Sequence, residues 1–472
     1  MMKKIYFLFL GFTLITCSTK AQHYALYNTR SLFDALENPA IKAFTLDSSS
    51  KFASNLFLPN FSINSANKGD AQSVIRTLTN TGVLNTENLP IGTGSLNKAF
   101  VNTNIHILNF RIFSSYKYNQ EVGFAWQLRS DGYAEYTNES LAIFDSYKRF
   151  SEQTPYNNIF NDKAYQQSYH QFSISVRENW DKRLALGVKL SLLSGIAYNS
   201  LKINDSYFYT DLPNDRLDIG LNGTYRGSFI KADELERKTL IPTFKNPGLS
   251  LTIGTSYASK SGYFIMGNIK DLGFIRWSKS SHTAKLNTIQ SIYNLSSKSN
   301  KQIENEITDI AYNADKQEAF FTPTNARADF LISRTFGFYK PSIIISKNLF
   351  YQGGDFAFVN TFNIDKFSAS LTPVYNLNNF IMIGVQGMYK TPNFEFFLGS
   401  DNIGKSISLA RGISQSDGAV GTGYNAGSFY MGLGIKFGRT VNHPQNLSTM
   451  PGVGGEKTYK GFFRSLFTLF KK

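Results

Sequence analysis

Apolar and polar residues alternate with a period of two along much of this chain. In QFSISVREN, Phe172, Ile174 and Val176 alternate with Ser173, Ser175 and Arg177. Asn179-Trp180-Asp181 predicts a turn. RLALGVKLSLLSG then sets Leu184, Leu186, Val188, Leu190 and Leu192 against Ala185, Gly187, Lys189 and Ser191. This predicts a hairpin with one apolar and one small or polar face. SFYMGLGIKFG repeats the pattern, with Phe429, Met431, Leu433, Ile435 and Phe437 against Gly432, Gly434 and Lys436. Many such runs reach ten residues, the length a tilted strand needs to cross a bilayer. A soluble β-sandwich alternates too, but Gly, Ser and Ala on the second face suit a barrel lumen. Aromatics near strand ends, at Tyr116, Tyr118, Trp126, Trp180 and Trp277, suit interfacial girdles.

The connections alternate in length. Short turns are expected near Asn119, Asp181, Pro213, Ser259, Lys340 and Lys366, and long polar segments at about 67–102, 135–166, 225–246, 279–324 and 401–426. Short periplasmic turns and long outer loops are the habit of outer-membrane barrels. The expectation is an all-β fold, a transmembrane antiparallel β-barrel of about 14 strands. Residues 279–319 read as an outer loop with a short helix around Ile303, Ile307, Ile310 and Ala311.

The N-terminus sets the compartment. Met1-Met2-Lys3-Lys4 and the apolar IYFLFLGFTLIT form a signal-peptide pattern, with Thr19 and Ala21 before the expected cut. Cys17 is a rival site of lipidation, but Thr16 fits that poorly. The organisation expected is 1–21 signal peptide, 22–50 hatch segment, 51–439 barrel, and 440–472 a flexible tail with a basic helix. Cys17 is the only cysteine, so the exported chain has no disulfide framework. The net charge is +15, falling to +12 without Lys3, Lys4 and Lys20. Export and the scatter of the basic residues argue against nucleic acid, leaving lipid head groups or solvent as their partners. Charged residues are 18%, below the roughly 25% of a soluble domain. No mature segment holds 18 successive apolar residues, which excludes a spanning helix.

Two segments depart from the strand pattern. SLFDALENPA, residues 31–40, predicts a helix over Ser31–Glu37 stopped at Asn38-Pro39, because Pro39 lacks an N–H and disfavours helix at Asn38. Leu32, Phe33 and Leu36 would form one apolar stripe. YKGFFRSLFTLFKK places Phe462, Phe463, Leu466, Phe467 and Phe470 on one helical face flanked by Lys460, Arg464, Lys471 and Lys472. Such a basic amphipathic helix suits a membrane surface or a partner.

No catalytic or metal constellation emerges. His23, His106, His170, His282 and His443 lack metal spacing. GVGGEKT, 452–458, has Glu456 where a phosphate loop needs glycine. The carboxylates Asp131, Glu135, Asp271 and Asp329 read as solvated or lumen-lining charge. No enzyme activity, cofactor or metal is expected.

ENPA at 37–40, LALGVKLSLLSGIA at 184–197, NPGLSLTIGTSY at 246–257, IKDLGFIRW at 269–277 and FYMGLGIKFGR at 429–439 carry a family resemblance. In order and spacing the chain resembles the FadL/PorV-like outer-membrane barrels of Bacteroidota, in an uncharacterised subgroup. The resemblance implies that the segment with Asn38 and Pro39, and Phe33 and Leu36 beside them, folds into the periplasmic mouth as a hatch. It implies outer-membrane localisation and passive transport of small hydrophobic compounds, with an apolar pocket near the hatch and a lateral gap at a kink such as Ser194-Gly195. The alternative is a non-channel subunit of a secretion or assembly complex, with a filled lumen. The partners expected are outer-membrane lipids, and a hydrophobic ligand or a secretion-complex subunit. The chain departs from barrels that end on a terminal aromatic, because a tail follows Phe437.

Overall fold

The structure, a computed structural model, describes residues 24–44, 50–115, 120–151, 153–229, 240–299, 302–303, 305–307, 309, 315–440 and 462–463. The expected signal peptide, Tyr116, Tyr118, Asn119, Ile310, Ala311, Leu466, Phe467 and Phe470 lie outside these.

A short helix, α1 (Asp34–Glu37), precedes the strands β1 (Ser50–Ser54) and β2 (Asn60–Lys68). Helix α2 (Gln72–Thr81), β3 (Leu96–Ser115), β4 (Gln120–Thr137), α3 (Asn138–Asp145), β5 (Tyr156–Asn157), β6 (Lys163–Asn179) and β7 (Leu184–Asp211) follow. Then come β8 (Arg216–Gly227), β9 (Pro247–Ala258), β10 (Tyr263–Trp277), β11 (His282–Tyr293), β12 (Asp315–Gln317), β13 (Phe320–Pro323) and β14 (Arg327–Arg334). The chain continues through β15 (Tyr339–Asn348), β16 (Gly354–Ile364), β17 (Phe367–Asn376), β18 (Phe380–Lys390), β19 (Phe394–Ser400), α4 (Ile403–Gln415) and β20 (Asn425–Thr440).

These strands close into an antiparallel barrel of 14 wall strands. β1 and β2 are two halves of one wall strand, both laid between β3 and β20. β13 and β14 likewise share one wall position beside β10. Closure leaves no open edge, so every ladder group in the wall has a neighbour.

The period-two pattern decides what faces what. In β18, Ile381, Ile383 and Val385 are 68%, 51% and 40% exposed, while Met382, Gln386 and Met388 on the opposite face are buried. In β6, Ile174 is exposed while Ser173, Ser175 and Arg177 are buried. The apolar face is the outside and the small or polar face is the lumen. An apolar outside on a closed barrel is the arrangement a bilayer requires. Ile383→Arg is therefore expected to cost about 2–4 kcal/mol of stability in lipid, read as a lower urea midpoint for the protein refolded into vesicles.

The structure corrects several expectations. β11 is a strand in register with β8, where the sequence suggested a polar loop; Ile303 packs beneath it, buried. Only Ala284, Leu286 and Ile292 of β11 are buried, and the polar residues around them hid the strand. Pro213 turns the β7–β8 hairpin at the end of the long loops, opposite the short turns at 181–183 and 259–262. Lys340 lies in β15, and the turn there is 335–338. Trp277 ends a strand but is turned inward, fully buried on Tyr198. Trp126 lies mid-strand rather than at an end.

Candidate functional site

Residues 24–44 fill the lumen at the end of the short turns. Within this stretch only Asn28, Thr29, Arg30 and Lys42 are not buried. Asn28 (φ 57°) and Arg30 (φ 56°) adopt left-handed conformations that reverse the chain. The Asp34 carboxylate accepts from the amides of Thr29 (3.0 Å) and Arg30 (3.1 Å), closing that loop. The predicted helix is present but shorter at its start, Asp34–Glu37, and it stops as expected at Asn38, which is extended (φ −125°, ψ 109°) before Pro39. Leu32, Phe33 and Leu36 are all buried. Phe33 sits edge-on to His106 at 4.8 Å and to Phe397 at 6.0 Å.

The Asn38-Pro39-Ala40 turn needs a flat patch of wall. Gly187 in β7 and Gly254 in β9 face each other in register and supply it. A Cβ at Gly187 would lie 2.2 Å from the Pro39 carbonyl carbon, and one at Gly254 2.0 Å from the Asn38 Oδ1. The turn is fixed by the Ala40 amide donating to Asn38 Oδ1 (2.9 Å), while Arg177 Nε (3.0 Å) and Ser256 Oγ (3.2 Å) donate to the Ala40 carbonyl.

The wall matches the plug backbone by polarity. Cationic and amide side chains donate to its carbonyls. Asn109 reaches Leu32 (2.8 Å), Asn268 reaches Glu37 (3.1 Å), and Lys340 reaches Asn28 (2.7 Å). Lys390 reaches both Thr29 (2.8 Å) and Arg30 (2.6 Å), and Arg111 reaches Ala35. Carboxylates accept from plug amides: Glu395 from Leu32 (2.6 Å) and Glu121 from Ala43 (3.2 Å). Such charge-assisted bonds are the stronger kind, and they satisfy backbone groups a short helix leaves unpaired.

One charge cluster sits at the centre. β10 carries a bulge between Ile269 and Leu272, with Asp271 left-handed (φ 52°). The extra residue breaks the alternation, so Lys270 and Asp271 both turn inward. Lys270 pairs with Glu37 of the plug, and Arg327 approaches the same carboxylate at 3.7 Å. Asp271 pairs with Lys189 (3.1 Å) and Arg129. Arg327 also holds Asp329 (2.7 Å), whose second oxygen accepts from Tyr27 Oη (3.2 Å), while Tyr24 Oη donates to Asp355 (2.6 Å).

The two plug carboxylates titrate in opposite senses. Burial pushes Asp34 up to about 7, against the amide bond from Arg30 and the ammoniums of Lys340 and Lys390. Glu37 also suffers burial, but Lys270 and Arg327 outweigh it and hold Glu37 well below the usual carboxylate range. A raised carboxyl favours the seated plug fully below its ordinary 3.8, and that contribution is lost as pH rises through about 7. A lowered one favours seating above its ordinary 4.5 and loses that contribution as pH falls below it. The plug is therefore expected to be held best between these limits. A fluorophore on Lys42→Cys should gain mobility on either side.

Above the plug the lumen is not empty. Tyr24, Ala25 and Tyr27 pack in one apolar cluster with Phe100, Met266, Leu331, Ile344, Val359, Val374, Phe380 and Met382 from the wall. A cavity of about 50 Å³ remains over them, bordered by Asn64, Tyr133, Asp355 and Asp401. Such a volume has room for only a few waters. At the place of the expected kink the strand changes partners. β7 leaves β9 at Ser194 and pairs with β8 from Asn199. The expected gap is closed. Trp277, Tyr198, Tyr169, Leu193, Ile275 and Phe320 fill the place, and a Cβ at Gly195 would meet Trp277 at 2.9 Å.

At the tail, Phe463 is buried and its amide donates to Glu178 (3.0 Å), while Phe462 is half exposed. Asp131 is buried in the lumen wall, and Glu135 accepts from Tyr133 Oη (2.9 Å) and lies 3.6 Å from Lys98. Among the described residues there is no cluster of three metal-ligating side chains. Sequence reading named the plug residues but missed the wall groups that hold them. Their signal was a charge at a lumen position, as at Arg177 and Lys189, which marks a buried partner without naming it.

The fold is similar to that of the toluene transporter TodX of P. putida, at 8% identity and a TM-score of 0.40, over 87% of this chain and 94% of that one. It is also similar to a Pseudomonas aeruginosa FadL homologue, at 8% identity and a TM-score of 0.40, over 86% and 94%. No curated protein matches the sequence. Residues 43–401 match DUF5723, described as a family of unknown function, and the chain belongs to that family.

Proposed function

We propose that this protein is an outer-membrane barrel that passes small hydrophobic compounds, with residues 24–44 as the closing element. The observation that carries the reading is the apolar band of the lumen. Met266, Leu331, Ile344, Val359, Val374 and Met382 point inward, where a water-filled pore would carry polar groups. In the closed state Tyr24, Ala25 and Tyr27 occupy this band. A hydrophobic solute that takes their place gains the burial they lose, so plug release costs less with solute present. Among the described residues side-chain bonds, ion pairs and apolar packing hold the plug to the wall, with no backbone-to-backbone bond between them, which suits a part that leaves and returns. The test is uptake of a small aromatic dye by cells with and without the protein, and with Ile344→Asp. Faster uptake that Ile344→Asp abolishes is expected. Equal uptake in all three sinks the reading.

A second reading is a non-channel subunit of an outer-membrane secretion or assembly complex. The filled lumen favours it, as does Phe462 standing half exposed beside the docked Phe463. Purification from outer membranes in mild detergent separates the two. A large subunit recovered in equal amount supports the complex, and a lone barrel carrying a hydrophobic ligand supports passage.

A further inference from the structure

The mouth on the short-turn side holds two adjoining cavities of about 270 and 200 Å³. They share Asn28, Arg30 and Phe264. The first is lined further by Arg334 and Lys340, and the second by Lys42, Arg177, Lys182 and Arg183. Among the described residues no carboxylate lines either one. Two acids face this group from behind. Asp34 lies beside Arg30 and Lys340, and Glu121 beside Lys42 and Arg177. Both also give oxygens to plug amides, Asp34 to Thr29 and Arg30, and Glu121 to Ala43.

So many like charges converging on one space repel each other and favour an anion between them. At Lys42 like charge adds to the larger effect of burial. Burial, opposed by Glu121 and reinforced by Arg177, Arg30 and Lys436, pushes its ammonium down to about 8. The guanidiniums suit oxyanions in particular, because their planar forks donate in pairs. Arg334 is stacked on Tyr263 and Phe336, each 5.1 Å away, which fixes its plane. The two contributors from the plug, Arg30 and Lys42, are the cations of residues 24–44 that emerge from burial. The other five stand on the wall or its turns.

We propose that this vestibule binds a small solute bearing a phosphate or clustered carboxylates, which enters from the periplasmic side and bridges the plug to the wall. The site does not depend on what crosses the barrel. It would stand if hydrophobic passage failed, since neither its residues nor its test involves the apolar band.

The test uses the full chain in non-ionic detergent at low salt, titrated with inorganic pyrophosphate by calorimetry. Saturable binding of one pyrophosphate per chain is expected. Arg30→Gln and Arg183→Gln should each weaken it about tenfold. Lys68→Gln, at the outer end where Lys68 donates to the Asn379 carbonyl (2.7 Å), should leave it unchanged. A heat-shifted gel band confirms that each variant is folded. Repeating the titration in nanodiscs with and without phosphatidylglycerol separates a free solute from a lipid head group. Equal affinity in both discs supports the solute. Competition by the lipid would overturn it in favour of the head group. The proposal is also overturned by no saturable heat at millimolar pyrophosphate, or by equal loss in Lys68→Gln.

Discussion

Deletion of residues 24–44 is expected to turn a closed barrel into a conducting one. A 14-strand wall is wide enough to leave a lumen once its contents go. In the intact protein those contents are the plug, and the cavity above it measures only about 50 Å³. Without the plug, Arg111, Arg177, Asn268, Lys390 and Glu395 lose their backbone partners and draw water in. Single barrels in a planar bilayer should pass steady current where the intact protein passes little. A full-length variant makes the same point without shortening the chain. Gly187→Val places a side chain where the Pro39 carbonyl carbon stands 2.2 Å from a Cβ, so the turn cannot seat. Unchanged conductance in both proteins would show that wall side chains alone seal the lumen.

Glu37→Gln should unseat the plug nearly as well. Glu37 is the plug's partner for two buried cations, Lys270 and Arg327. Removing one member of a buried ion pair strands the other, typically at about 3–5 kcal/mol. That is a shift of roughly a hundredfold or more in plug occupancy. Cleavage at Arg30 by trypsin reports it, because Arg30 is the plug's exposed residue while residues 31–41 after it are buried in the seated plug. Glu37→Leu combined with Lys270→Met removes both charges and should restore protection in large part, since matched apolar replacement of a buried pair is often neutral. Cleavage unchanged in Glu37→Gln would mean that the backbone bonds alone carry the plug.

The barrel itself was legible from the chain because period-two alternation reports a sheet with one face in lipid and one in the lumen. Phe172, Ile174 and Val176 needed no partner to declare their side. The plug was legible in part for a local reason, as Pro39 dictates the end of α1 through its own ring. What could not be read was everything set by register. Gly187 and Gly254 are 67 positions apart, and only the pairing of β7 with β9 joins them into one seat. Lys270 and Asp271 break the alternation on which strand reading depends. Their bulge puts adjacent opposite charges on the same side, which a two-residue period assigns to opposite faces. β11 was missed because just three of its residues, Ala284, Leu286 and Ile292, are buried, too few among its polar residues to declare a period.

Leu32 touches both sides of the barrel's last seam. Its amide donates to Glu395 in β19 (2.6 Å) and its carbonyl accepts from Asn109 in β3 (2.8 Å), and between those strands lie β1 and β20. The first and last strands meet only after hundreds of residues have been ordered, which is the slowest kind of contact for a chain to find. A segment already lodged inside and bonded to both flanks would bring the two edges together. The plug would then be a clasp during biogenesis before it is ever a door, and variants that loosen it would first show as barrels slow to close.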